Sequence, residues 1–333
     1  MAPVYKIAII QLVPKDVAVQ DNFSRAEAFL RQAAADGAHL AVLPEYHLTS
    51  WCPHHPDFIT ASAESATYLP RYQALARELN LNIVPGTICE VHPAGSAESK
   101  QGGEAKEGKE ERKEIRNMAY WIAAGTGTLI GTYQKLNLWH SERRHLTAPP
   151  THASAPSPHI AFDTPLTWTD PDSEPHGASK ADPIRAGMLI CWDAVFPEAF
   201  RALLRQGVSL IIIPSYWTCD GTDLDPDRTR LNADCEGLFI NSLMITRAVE
   251  NEAVVVFCNA PGLSQVVAPV VGRLPLREGE GGKKVQGEGL GVNEEAMRVV
   301  EVDFGTVRAL EREYKVKGDV LREGWHYGYE RGC

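Results

Sequence analysis

The apolar positions of this chain follow two rhythms that alternate along its length. Residues 6–12 form an apolar run of strand length. From Asp21 onward Phe23, Ala26, Leu30 and Ala33 recur every three to four positions, which predicts a helix with Asp21 or Asn22 at its start and Gly37 at its stop. Leu40-Ala41-Val42-Leu43 is a second strand-like run closed by Pro44-Glu45, so a carboxylate stands at a strand's C-terminal end. The alternation continues with a helix marked by Tyr68, Tyr72, Leu75 and Leu79, a strand over 82–90, and a hairpin of 118–123 and 129–136 turning at Gly125-Thr126-Gly127. Further on, 185–191 predicts a strand, 197–206 a helix opened by a proline, and 210–213 a strand. A long helix then carries Leu231, Cys235, Leu238, Ser242 and Ile245 on one face, and 253–259 and 297–303 complete the strands. Strands alternating with helices define an α/β protein with a large internal sheet, one domain over residues 1–333.

Three segments break the rhythm. Residues 93–114 carry alanine as their main apolar residue amid dense charge of both signs, which predicts a disordered surface insertion. Residues 149–183, rich in Pro, Ser, His and Asp, read as a long loop, and the Gly- and Lys-rich 279–291 as another. The Gly- and aromatic-rich 314–333 are expected to pack on a partner subunit.

Composition narrows the classes. With 333 residues and 44% hydrophobic content the chain buries a full core, and a net charge of -10 argues against general affinity for nucleic acid, so a small-molecule partner is expected. The N-terminal apolar run is too short for a secretory leader and no stretch approaches a bilayer span, so no membrane role is expected. Seven cysteines, an odd number without a CxxC pair, argue against a disulfide framework or structural zinc and for a reducing, cytoplasmic setting. No Gly-rich phosphate loop follows a strand, which disfavours a nucleotide-binding role.

Candidate chemistry sits at strand ends. Cys191 lies where an apolar strand passes into Trp192-Asp193, ahead of a helix opened by Phe196-Pro197-Glu198, a bend suited to a reactive thiol. A thiol needs a base, and Glu45 has the matching position on another strand. Lys135, in Tyr133-Gln134-Lys135-Leu136, adds a cation. Each signal alone has an ordinary structural meaning: a buried thiol, a loop carboxylate, an edge-strand lysine. The histidines His54 and His55 with Asp57, and likewise His140 and His145, lack metal-ligand spacing and read as solvated loops, so no metal is expected.

In the order Glu45, Lys135, Cys191 the three resemble the nitrilase superfamily of carbon-nitrogen hydrolases. Leu43-Pro44-Glu45-Tyr46, the lysine segment and Cys191-Trp192-Asp193 match, with Arg247-Ala248-Val249-Glu250-Asn251, Asn259 and Ser264 to Gly272 as later matches. The resemblance runs from about Lys6 to Asp303. It implies an α-β-β-α sandwich, often a homodimer or higher homo-oligomer, and a thiol hydrolase that forms a covalent cysteine adduct without cofactors. It also makes Glu142, seven residues after Lys135, a second glutamate that holds the lysine. Cys-Trp-Asp points to an amide or N-carbamoyl substrate; the Lys135 to Glu142 spacing points to a nitrile, the alternative. A non-catalytic binding member of the fold is a third reading. Tyr46, Trp192, Ser215, Tyr216 and Trp217 follow strand ends and are the expected substrate walls.

Overall fold

The computed structural model describes residues 2–93, 113–150, 158–169, 182–219, 231–277, 284–285, 289–322 and 325. Its strands are β1 (Val4–Gln11), β2 (Leu40–Val42), β3 (Asn82–Val84), β4 (Thr87–Pro93), β5 (Lys113–Ile122), β6 (Leu129–Gln134), β7 (Phe162–Thr167), β8 (Pro183–Met188), β9 (Leu210–Ser215), β10 (Val254–Asn259), β11 (Gln265–Ala268), β12 (Gly272–Arg273), β13 (Leu276–Arg277), β14 (Lys284–Val285) and β15 (Ala296–Asp303). The helices are α1 (Val19–Ala35), α2 (Phe58–Ala66), α3 (Leu69–Glu78), α4 (Pro197–Leu204), α5 (Cys235–Glu250), α6 (Gly305–Glu313) and α7 (Val316–Leu321).

Two sheets form. The first runs β14-β13-β15-β1-β2-β3-β5-β4, with β6 also on β5; the second runs β12-β11-β10-β9-β8-β7. Alternation along each strand assigns the layers, because successive side chains point to opposite faces. Ile7, Ile9, Leu40, Val42 and Val84 of the first sheet share one core with Ala186, Met188, Leu210, Ile212, Val254 and Val256 of the second. Their neighbours Ala8, Ile10, Ala41, Leu43 and Ile83 face the other way, onto Phe23, Ala26 and Leu30 of α1 and Tyr72 and Leu75 of α3. Helices α4 and α5 pack against the second sheet through the same continuous core, which includes Phe200, Leu203, Ile240 and Met244. The architecture is the expected α-β-β-α sandwich. Strands covered on both faces explain why their sequences read as near-continuous apolar runs.

Several boundaries move, each for a physical reason. The strand expected over 82–90 divides into β3 and β4 at Pro85-Gly86, where Gly86 has φ +59° and a Cβ would stand 1.8 Å from the Pro44 carbonyl oxygen. Helix α1 begins at Val19, before Asp21 and Asn22. Asn22 is no cap: its side-chain amide donates to the Lys15 and Leu48 carbonyls and ties the helix to two loops. On the long helix the stripe that carries Leu238, Ser242 and Ile245 is turned outward. Leu238 is 63% exposed and Ile245 40%, while Glu236, Ile240, Met244, Arg247 and Ala248 are buried. There polar groups go inside because partners await them: Arg247 donates to the Ala194 and Val195 carbonyls. Strand β7 lies inside the stretch read as a loop, paired antiparallel with β8. Helices α2, α6 and α7 were not legible from spacing. Most of the expected insertion, residues 94–112, lies outside the described residues, as do large parts of 149–183, 279–291 and 314–333.

Candidate active site

The site gathers where strands of both sheets end. Glu45 follows β2 by three residues. Gly86, lacking a Cβ, lets the β3–β4 break press against Pro44, and the Thr87 hydroxyl accepts the Tyr46 N–H at 3.1 Å, so the Glu45 segment is clamped on its own sheet. The second sheet clamps it from the other side. The Glu45 N–H donates to the Ser215 carbonyl at 3.3 Å and the Tyr216 N–H donates to Glu45 Oε2 at 2.9 Å, immediately after β9.

Lys135 follows β6, its N–H bonded to the Asn117 carbonyl across the ladder at 3.0 Å. Its Nζ donates to Glu45 Oε1 at 2.8 Å and Glu142 Oε1 at 2.7 Å, with the ammonium wholly out of solvent. Asn117 Nδ2 also donates to Glu45 Oε1, at 2.8 Å. Glu142 stands on a single 3-10 turn and is held by the Tyr46 hydroxyl on Oε1 and the Trp139 N–H on Oε2. One cation between two carboxylates, each further hydrogen-bonded, is a pattern in which burial of charge is compensated by partners.

Cys191 opens a 3-10 turn three residues beyond the end of β8 and takes φ +46°. A left-handed backbone at a residue with a Cβ costs about 1–3 kcal/mol and persists where surrounding bonds over-determine it. Asp193 supplies them. Fully buried, it accepts the Ile190 N–H and the Tyr133 hydroxyl on Oδ2, both at 2.9 Å, and the Asn137 N–H and Nδ2 on Oδ1, both at 2.8 Å. Tyr133 and Asn137 flank Lys135 at two residues on either side, so one carboxylate locks the cysteine turn to the lysine segment. Helix α4 begins only at Pro197, six residues after the thiol, so a turn rather than a helix start presents the sulfur.

Electrostatics follow from this burial. Desolvation drives the Glu45 carboxyl up to about 7; Lys135 pulls it back, and the Glu142 charge adds to the rise. Burial opposes the Lys135 ammonium, but Glu45, Cys191 and Glu142 outweigh it and raise its pKa above the ordinary lysine value. Burial and the Glu45 charge push the Cys191 thiol well above its usual range, with Lys135 offsetting part of the effect. The sequence places the thiol at a bend between a strand and a helix, suited to a reactive sulfur. The folded site instead raises the affinity of both the thiol and the neighbouring Glu45 carboxyl for a proton.

A cavity of about 660 Å³ opens onto this group, and Cys191, Glu142, Tyr46, Trp192, Tyr216 and Trp217 line it. Ser215, the remaining expected wall residue, is fully buried behind the lining, where its carbonyl receives the N–H groups of Glu45 and Ala260. His54, His55, His140 and His145 also line the cavity, and His54 meets His145 edge to face at 5.2 Å. They stand in turns as expected, His54 and His140 exposed and His55 and His145 half-buried; that these turns border the same cavity is a tertiary fact which local spacing does not encode. Among the described residues no group of three or more His, Cys, Asp or Glu side chains is arranged to hold a metal. Sequence reasoning missed Asn117, Asn137, Trp51, Trp139 and Phe239, all brought to the site or its cavity by tertiary contact.

A two-sheet sandwich with a Glu, a Lys and a Cys delivered from three strand ends defines the carbon-nitrogen hydrolase class. The chain belongs to the carbon-nitrogen hydrolase family, whose pattern it matches over residues 6–270. An (R)-stereoselective amidase of a Pseudomonas species is 25% identical over 93% of this chain and 89% of its own length. A nitrilase of Pyrococcus abyssi is 23% identical over 63% of this chain, and the human omega-amidase NIT2 is 22% identical over 63%; the chain spans 64% and 63% of those two proteins. Saccharomyces cerevisiae Nit3, a member of branch 10 of the nitrilase superfamily, superposes with a TM-score of 0.62 at 20% identity, covering 93% of this chain and 94% of that one. An amidase from a Nesterenkonia species superposes at 0.60 with 18% identity over 93% and 96%. At these identities the superpositions establish the fold.

Proposed function

We propose that this chain is a thiol hydrolase that cleaves a non-peptide carbon-nitrogen bond of a small amide or N-carbamoyl compound and releases ammonia or an amine. The observation that carries the reading is the buried Glu45–Lys135–Glu142 cluster beside a thiol that opens onto a cavity. Amide carbons are weak electrophiles, so a covalent intermediate divides one difficult step into two. Cys191 Sγ attacks the carbonyl carbon as Glu45 takes its proton. The oxygen of the tetrahedral adduct becomes negative and is stabilised by the Lys135 ammonium and the Trp192 N–H. Glu45 returns the proton to the departing nitrogen, the carbon-nitrogen bond breaks, and a thioester remains. Water, deprotonated by Glu45, then attacks the thioester; the product acid leaves and the thiol recovers its proton. A carboxyl near 7 suits both directions of transfer at neutral pH. No step needs a metal or organic cofactor.

The 2.7 Å Lys135–Glu142 contact supports nitrile hydrolysis as the second reading. There the thiol adds across the carbon-nitrogen triple bond and two waters are consumed before acid and ammonia leave. Measured ammonia release from a panel of amides, N-carbamoyl compounds and nitriles decides between the two. Turnover of amides or N-carbamoyl compounds above nitriles is expected, and the reverse order overturns the amidase assignment. Complete inactivity, with Cys191 labelled by iodoacetamide no faster than the other thiols, would leave a binding protein.

The reading extends to setting and assembly. The six described cysteines are all free, which supports a reducing compartment, the cytoplasm. No described helix is long and apolar enough to cross a membrane. Exposed Leu238, Ile245 and Val249 on α5 support pairing into a homodimer.

A further inference from the structure

We propose that the acyl side of the substrate is an uncharged aryl or arylalkyl group and that the cavity disfavours amides carrying a carboxylate. The inference rests on the hydrolase reading above and narrows it. Beyond the reacting carbon the cavity has room for a ring and a short linker, at about 660 Å³. Its wall is a connected run of rings. Trp139 meets Trp192 at 4.1 Å between centroids, Trp192 meets Trp217 at 5.3 Å, and Trp217 meets Phe239 at 5.5 Å. Trp51 stacks on Tyr46 at 4.9 Å and completes the aromatic lining. Rings that hold one another in place offer faces and edges to a flat guest with little ordering cost on binding.

Charge points the same way. Asp16, Glu142 and Glu236 line the cavity, and among the described residues no lysine or arginine does. Lys135 is not among the residues that line the cavity; two of its three N–H donors go to Glu45 and Glu142, and the third is the one assigned above to the reacting oxygen, not to a distant carboxylate of the guest. Among the described lining residues an anionic guest finds no lysine or arginine to replace the water it gives up, and it would approach Asp16 and the already hydrogen-bonded carboxylates of Glu142 and Glu236. The histidines of the wall do not reverse this. Imidazole is no fixed cation, and burial together with neighbouring His54 lowers the affinity of His145 for a proton.

The test compares kcat/KM at pH 8 for 3-phenylpropionamide, propionamide, succinamate and the methyl ester of succinamate. The aryl amide should exceed succinamate by about a hundredfold, and the uncharged ester should recover most of the loss, the scale expected when a buried group is left without its partner. Trp139→Ala should reduce the preference for 3-phenylpropionamide over propionamide by about tenfold, the worth of a ring contact of ~1.4 kcal/mol. Succinamate turned over as well as the aryl amide overturns the substrate class and leaves the hydrolase intact. Failure of every amide, together with unselective labelling of Cys191, overturns both.

Discussion

Glu45 and Glu142 differ by what surrounds them. Glu45 is wrapped by Lys135, Asn117 and the Tyr216 N–H with no exposure, while Glu142 reaches the cavity wall and takes the Tyr46 hydroxyl. Below about 7 the Glu45 carboxyl holds a proton and cannot accept another from the thiol, so kcat/KM should climb as pH rises through 7. The Glu142 charge contributes to that elevated value, so Glu142→Gln should move this acid limb to lower pH while also lowering the maximum. A pH-rate profile of both proteins checks it; an unmoved limb means that another group controls the rate. Replacing the proposed base, Glu45→Gln, should cost about a thousandfold or more in kcat, the range of general acid–base catalysis. Cys191→Ala should leave no turnover, with circular dichroism unchanged in both variants.

At the scale of elements, the site depends on three strand ends held in register. Asp193 joins two of them with four accepted hydrogen bonds. Asp193→Asn turns one acceptor into a donor facing a donor, so a loss of about 1–3 kcal/mol in stability is expected. The fall in kcat should exceed any rise in KM, because Asp193 touches the cysteine turn and not the cavity. Denaturant unfolding and steady-state kinetics measure the two separately, and a change confined to KM would give Asp193 a substrate contact instead. Gly86→Ala should be worse than an ordinary glycine replacement: it combines positive φ with a Cβ 1.8 Å from Pro44, and it would displace the segment that carries Glu45. Reduced melting temperature with reduced activity is the expected pair of results.

At the scale of the molecule, α5 leaves Leu238, Ile245 and Val249 exposed while burying Glu236 and Arg247. An apolar stripe of that kind on an outer layer supports the proposed homodimer, for which sedimentation should give twice the mass of one chain. The double change Leu238→Glu with Ile245→Glu should return a monomer. A wild-type monomer in the micromolar range removes the dimer from this account.

The periodicity around Phe23 and Leu30, the strand runs at 40–43 and 210–213, and the order of Glu45, Lys135 and Cys191 were all legible in the sequence. They are local signals: chemistry stands at a strand end, and apolar spacing sets the element. Tertiary structure decided the rest, because those effects depend on residues distant in the chain. Burial, with charged neighbours alongside it, raises Glu45 and keeps Cys191 protonated. The Asp193 hydrogen bonds cross some 60 residues of chain, from 133 to 193. Which face of α5 is buried was not decided by spacing, because a periodic stripe reports amphipathicity, while only the packed neighbours determine which stripe meets the core.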